Sequence, residues 1–114
     1  YKQLEAVADL LKKNVDKFVI AYEPVWSIGT GLIPTDDQVR DTHLAIRQWL
    51  VKNCGETGNN VRILYGGSVK ASNAGDLYKI QHVNGFLVGG ASLVAKDFYD
   101  IVQAAQVKKQ DAKL

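Results

Sequence analysis

The sequence predicts an α/β fold of parallel strands alternating with helices, one that forms part of a closed barrel rather than a finished domain. Three observations carry this. Apolar runs at 18–22, 61–65 and 85–88 are continuous in their apolar character, as in strands buried on both faces. Each run ends in a loop containing glycine and leads into a helical stretch, the βα repeat of a sheet with right-handed crossovers. Three such strands alone leave sheet edges open, whereas eight strands in about 250 residues close on themselves.

Taken in order, Leu4, Val7, Ala8, Leu10 and Leu11 recur at helical spacing among charged residues and predict an amphipathic helix over 2–14. The strand Phe18 to Tyr22 follows, then a glycine-containing loop. Thr35-Asp36-Asp37-Gln38 has the form of a capping box with two acids in the first turn, and opens a helix striped by Val39, Ile46, Trp49 and Leu50 that ends near Gly55. Polar residues 55–60 lead to the second strand, Val61 to Tyr65, which runs into Gly66-Gly67-Ser68. A short helix is expected from Ser72-Asn73, a third strand over Gly85 to Val88, and a last helix over roughly 96–107 with Phe98, Ile101, Val102 and Ala105 on one face. Residues 108–114 read as a polar tail.

Composition narrows the function. At 114 residues, 46% hydrophobic and 23% charged, the chain has room for one domain of ordinary globular character. Its 14 basic and 12 acidic residues are scattered, too weak a bias for a nucleic-acid or anionic-membrane footprint. One cysteine, Cys54, permits no internal disulfide and reads as a packed small hydrophobe. No signal-peptide pattern or membrane-spanning run is present, so a reducing, cytoplasmic location is expected.

The chemistry gathers at the strand ends. In AYEPVWSIGTG, residues 21–31, Glu23 follows a strand expected to be buried, beside Pro24 and an apolar loop holding Trp26, Ile28 and Gly29. A carboxylate there is either a solvated rim residue or a group that chemistry uses. Gly66-Gly67-Ser68 and Gly89-Gly90 would let backbone N–H groups approach an anion closely, and together suggest a phosphate cradle. Each pair taken singly is equally a tight turn. Neither a dinucleotide fingerprint nor a nucleotide-phosphate loop is present: position 34, where a third glycine would be needed, is proline.

AYEPVWSIGTG, LYGGSV (64–69) and GFLVGGASL (85–93) closely resemble the three signature segments of the triosephosphate isomerase family, in the same order and at similar separations. The resemblance covers essentially the whole chain. It implies the carboxyl-terminal part, 1–114, of a single TIM-barrel domain, covering the helix before strand 6 and βα units 6 to 8, with the amino-terminal part of the (β/α)8 barrel absent. By similarity, Glu23 is the general base of a cofactor-free, metal-free interconversion of dihydroxyacetone phosphate and D-glyceraldehyde 3-phosphate. The pairing of a carboxylate base with a neutral imidazole electrophile is a known property of this family, not a reading of these residues.

The resemblance also implies a mobile lid over 24–34. Pro24, Val25 and Trp26 form its first hinge, Ile28 and Gly29 its tip, and Leu32, Ile33 and Pro34 a second hinge more apolar and stiffer than the family usually has. The N–H groups of Gly29, Ser68, Gly89 and Gly90 would meet the substrate phosphate. Tyr65 and Ser68 would latch the closed lid through their hydroxyls, and Ile28 and Leu87 would press apolar surface around Glu23 and raise its basicity. The family's phosphate lysine, electrophilic histidine and dimer-forming loop belong to the first half of the barrel, and His43 and His82 do not match that histidine. The complete chain is expected to be a homodimer with no nucleic-acid or membrane partner. A competing reading is a catalytically silent, phosphate-binding half-barrel that associates with itself.

Overall fold

The computed structural model describes residues 1–24 and 34–106. In chain order these contain α1 (Lys2–Ala6), α2 (Ala8–Lys13), β1 (Val19–Tyr22), α3 (Asp36–Cys54), β2 (Arg62–Tyr65), α4 (Ala74–Lys79), β3 (Gly85–Phe86) and α5 (Ala95–Ala104), with 3₁₀ turns at Val15–Lys17, Gly55–Asn60 and Gly90–Leu93. The strands form one parallel sheet in the order β1-β2-β3. Val19 to Tyr22 pair with Arg62 to Tyr65, and Leu64 and Tyr65 with Gly85 and Phe86.

Period-two alternation gives this sheet two unlike faces. Ile63 and Tyr65 are buried, with Ile20, Tyr22 and Phe86 packed around them. Each such aliphatic burial contributes roughly 1.5–3 kcal/mol. The opposite face carries Val19, Ala21, Arg62, Leu64 and Gly85, and here Val19 is 53% exposed. The expectation that every strand is buried on both sides therefore holds for one face only among the described residues. Leu64 lies across Gly85: a Cβ built there would meet Leu64 Cδ2 at 2.9 Å.

The first expected helix is two. Val7 has φ −115° and its N–H bonds Leu4 O at 3.1 Å, an i−3 contact that tightens and breaks the turn. Only the stripe Leu4, Ala8 and Leu11 joins the core against α3; Leu10 stays 60% exposed. Helix α3 follows its sequence signals closely. Thr35 Oγ1 accepts from the Gln38 N–H at 3.1 Å, Gln38 Oε1 accepts from the Thr35 N–H at 2.9 Å, and Gly55 ends the helix at φ +72°. Trp49 and Leu50 are buried, and partly buried Cys54 packs on the same cluster, where desolvation pushes its thiol above the ordinary range against a smaller opposing effect of Lys12.

At the other end of the chain two expectations are corrected. The third strand is Gly85–Phe86 rather than 85–88, because only these residues stand opposite β2 partners. On α5, Ile101 is buried while Phe98 and Val102 are 42% and 40% exposed; Ile101 and Ala104 are the residues that reach the cluster of Val69, Ala74, Leu77 and Val83.

A buried polar knot joins these parts. The Arg47 guanidinium, 3% exposed, donates to Gly58 O (2.7 Å), Val61 O (2.5 Å) and Asn84 Oδ1 (2.7 Å). Asn84 Oδ1 also accepts the Ile63 N–H at 2.9 Å, and the Asn84 N–H returns to Ile63 O at 2.9 Å. The Arg47 Nε–H points at His82 Nδ1 (3.4 Å), while His43 Nδ1 donates to His82 O at 3.0 Å. Both histidines are thus buried scaffold residues. Gly58 fits beneath α3 because it has no side chain: a Cβ would lie 2.6 Å from the Leu50 carbonyl carbon.

Replacing Arg47 by Ala takes the guanidinium donors from the buried carbonyls of Gly58 and Val61 and leaves Asn84 Oδ1 with the Ile63 N–H alone, so unfolding free energy in the full-length protein should fall by on the order of 3 kcal/mol. Arg47→Lys should recover only part, since an ammonium lacks the planar fork. A denaturant titration showing less than about 1 kcal/mol of loss for Arg47→Ala would remove the knot from its central place.

Candidate functional site

The parallel strands finish at one edge, and the three segments singled out in the sequence finish with them. Glu23 comes immediately after β1, two residues beyond Ala21, so the alternation carries its side chain to the open face of the sheet. It is exposed. Pro24, next to it, is fully buried.

Beside Glu23 stands Gly66. Its N–H donates to Tyr22 O at 2.8 Å, continuing the ladder one residue past β2. A Cβ on Gly66 would lie 2.7 Å from Glu23 Cγ and 3.6 Å from Leu87 Cβ, so Glu23, Gly66 and Leu87 form one row across the three strand ends. The missing side chain is the space that Glu23 occupies. Leu87, whose N–H bonds Tyr65 O at 3.0 Å, is the apolar end of this row and is 44% exposed.

Tyr65 is 1% exposed and packs with Val39 and Val69, near His43 at 6.2 Å between ring centroids. Its hydroxyl lies against Gly67, where a Cβ would collide with it. Burial, with a smaller contribution from Tyr22, holds this phenol above its ordinary range, so it stays a protonated donor at neutral pH. Ser68, Gly89 and Gly90 are exposed, and a Cβ built on either Gly89 or Gly90 meets nothing within 4 Å. The loops after β2 and β3 therefore present open backbone at the same sheet edge as Glu23. Val25, Trp26, Ile28, Gly29, Leu32 and Ile33 lie outside the described residues, as does the tail; Pro34 is buried at the start of the segment leading into α3.

Sequence reasoning read Gly66 as part of an anion loop and missed its second use as the surface on which Glu23 rests. The signal was two adjacent glycines where one suffices for a turn. An open groove of about 600 Å³ lies away from this row, between α1, β1 and α3, lined by Leu4, Ile20, Tyr22, Ala45 and Ile46. Among the described residues no group of three His, Cys, Asp or Glu side chains is placed to hold a metal, and no helix is long and apolar enough to cross a membrane.

What the row can do chemically is limited and specific. It offers one carboxylate with an apolar neighbour, next to backbone donors free of side-chain cover, which suits proton transfer on a small anionic molecule.

The triosephosphate isomerase family model matches residues 1–105. The chain is 50% identical over 101 residues to a triosephosphate isomerase of Idiomarina loihiensis, covering 89% of this chain and 40% of that protein. It is 47% identical over 109 residues to the Dictyostelium discoideum enzyme (95% and 42%) and 46% identical over 110 residues to the chloroplastic enzyme of Fragaria ananassa (96% and 35%). The chain thus spans 35 to 42% of the length of these curated relatives. With its three strand-end segments and nearly its whole length matched in this way, the chain belongs to the triosephosphate isomerase family.

Proposed function

We propose that, in its full length, this protein is a cofactor-free triosephosphate isomerase that interconverts dihydroxyacetone phosphate and D-glyceraldehyde 3-phosphate, serving glycolysis and gluconeogenesis as a cytoplasmic homodimer. The observation that carries the reading is the row Glu23, Gly66 and Leu87 on the open face at the carboxyl end of the sheet. Parallel α/β folds bind ligands at that end.

In this reading Glu23 removes a proton from the carbon next to the substrate carbonyl and returns it to the neighbouring carbon through an enediolate. The Ser68, Gly89 and Gly90 backbone, with Gly29, receives the phosphate. Because an enediolate bearing a phosphate can eliminate it, the site has to exclude water while the intermediate exists. That is the work of the lid hinged at Pro24, Val25 and Trp26, tipped by Ile28 and latched by Tyr65; lid closure is itself a known property of this family. The silent half-barrel would keep the phosphate loops, but it gives no reason for a carboxylate seated on a glycine between two strand ends.

Two outcomes are expected in the full-length protein. Glu23→Gln should lower kcat by about 10²–10⁴-fold, the usual range for a general base, with KM moving far less. An isomerisation rate that survives would refute the assignment. Gly66→Ala puts a methyl against Glu23 Cγ and should reduce kcat by roughly 10²-fold while the protein stays folded by circular dichroism. Wild-type kinetics for that variant would show that Glu23 does not act from this seat.

A further inference from the structure

The two glycine loops are held in shape by side chains further along the chain. After β2, Asn73 Oδ1 accepts the Lys70 N–H at 2.7 Å and Asn73 Nδ2 donates to Ser68 O at 3.1 Å. Asn73 is the N-cap residue of α4, yet its side chain makes no capping bond to that helix. Both its polar ends serve the loop instead, against the usual use of asparagine at this position. After β3, Gly89 O accepts two bonds from one residue, from the Ser92 hydroxyl at 2.6 Å and from the Ser92 N–H at 2.9 Å.

These bonds fix more than the carbonyls they touch. A peptide unit is planar and trans, so its C=O and the following N–H point in opposite directions. Holding Gly89 O toward Ser92 therefore aims the Gly90 N–H away from Ser92. In the other loop, the Gly66 N–H is pinned to Tyr22 O at 2.8 Å and Ser68 O is pinned to Asn73, so the Gly67 and Ser68 N–H groups lie between two anchors. Neither donates a backbone hydrogen bond among the described residues.

We infer that Asn73 and Ser92 are positioning residues of the anion site, presetting the backbone donors of the two loops before a phosphate arrives. The inference rests on the proposed assignment of these loops to the substrate phosphate. Donors aligned in advance need no reorganisation on binding, and a loop that samples other shapes binds more weakly in proportion to its competent fraction. A hydroxyl bonded to the carbonyl three residues back is also an ordinary local motif. Ligand affinity, not stability, separates the two roles.

The experiment measures inorganic phosphate binding by calorimetry, with kcat, KM and melting temperature, in the full-length protein and in its Asn73→Ala, Ser92→Ala and Ser92→Thr variants. The alanine variants should each bind phosphate about tenfold more weakly and raise KM by a similar factor with a much smaller change in kcat, as expected if the competent population falls to a tenth. Ser92→Thr, which keeps the hydroxyl, should restore both. Folded alanine variants that bind phosphate as tightly as wild type overturn the inference, whether or not they melt earlier, and so does a wild-type protein that binds no phosphate. A wild type that binds phosphate without isomerising triose phosphates, while the alanine variants bind it more weakly, instead removes the proposed reaction and leaves the clamps standing.

Discussion

Arg47 is the interaction on which the rest of this structure depends. A guanidinium can be withdrawn from water only if its donors are met, and here they are met by four residues from two stretches of chain, 58–61 and 82–84. The Gly55–Asn60 turn, the approach to β2, His82 and Asn84 all close on one planar group carried by α3. Asn84 then relays the constraint into the β2 ladder through both hydrogen bonds with Ile63. The register of the parallel pair β2-β3 is set from this end.

The candidate site lies at the opposite end of the same strands, and the separation has a physical reason. The knot needs closed, satisfied polar groups. A site needs open ones. Running parallel, the strands transmit the alignment fixed near Arg47 along β2 to Gly66, where backbone hydrogen bonds from Gly66 and Leu87 bring the strand ends level. Glu23 then needs only the alternation of β1 to reach the open face. Its seat is made by an omission, the absent side chain of Gly66, rather than by an added contact.

How much of this was legible in the sequence depends on how local each signal is. The capping box at Thr35 and Gln38, the stop at Gly55 and the strand-end glycines are complete within a few residues, and the structure follows them. Burial is not local. Val7, Leu10, Phe98 and Val102 have the right periodicity for a core, but periodicity counts apolar faces without naming the surface opposite, and these four stay 38 to 60% exposed. The break at Val7 left no breaker residue to read. Tyr65 illustrates the same limit at the site: its motif marks it, but only the packing shows a ring enclosed by Val39 and Val69 with its hydroxyl over Gly67. Asn73 and Ser92 were unreadable as clamps, since small polar residues near helix starts are ordinary and their partners are backbone atoms.

The contact between Leu64 and Gly85 reaches beyond the fold into how these positions can change over generations. A Cβ at 85 would stand 2.9 Å from Leu64 Cδ2, so the space on that side of the sheet belongs to the pair and not to either residue. A larger residue at 85 requires the end of the Leu64 side chain to move aside or 64 to become smaller, so the two positions are coupled. Substitutions at these two positions are therefore not independent, and the effect of one depends on which residue stands at the other.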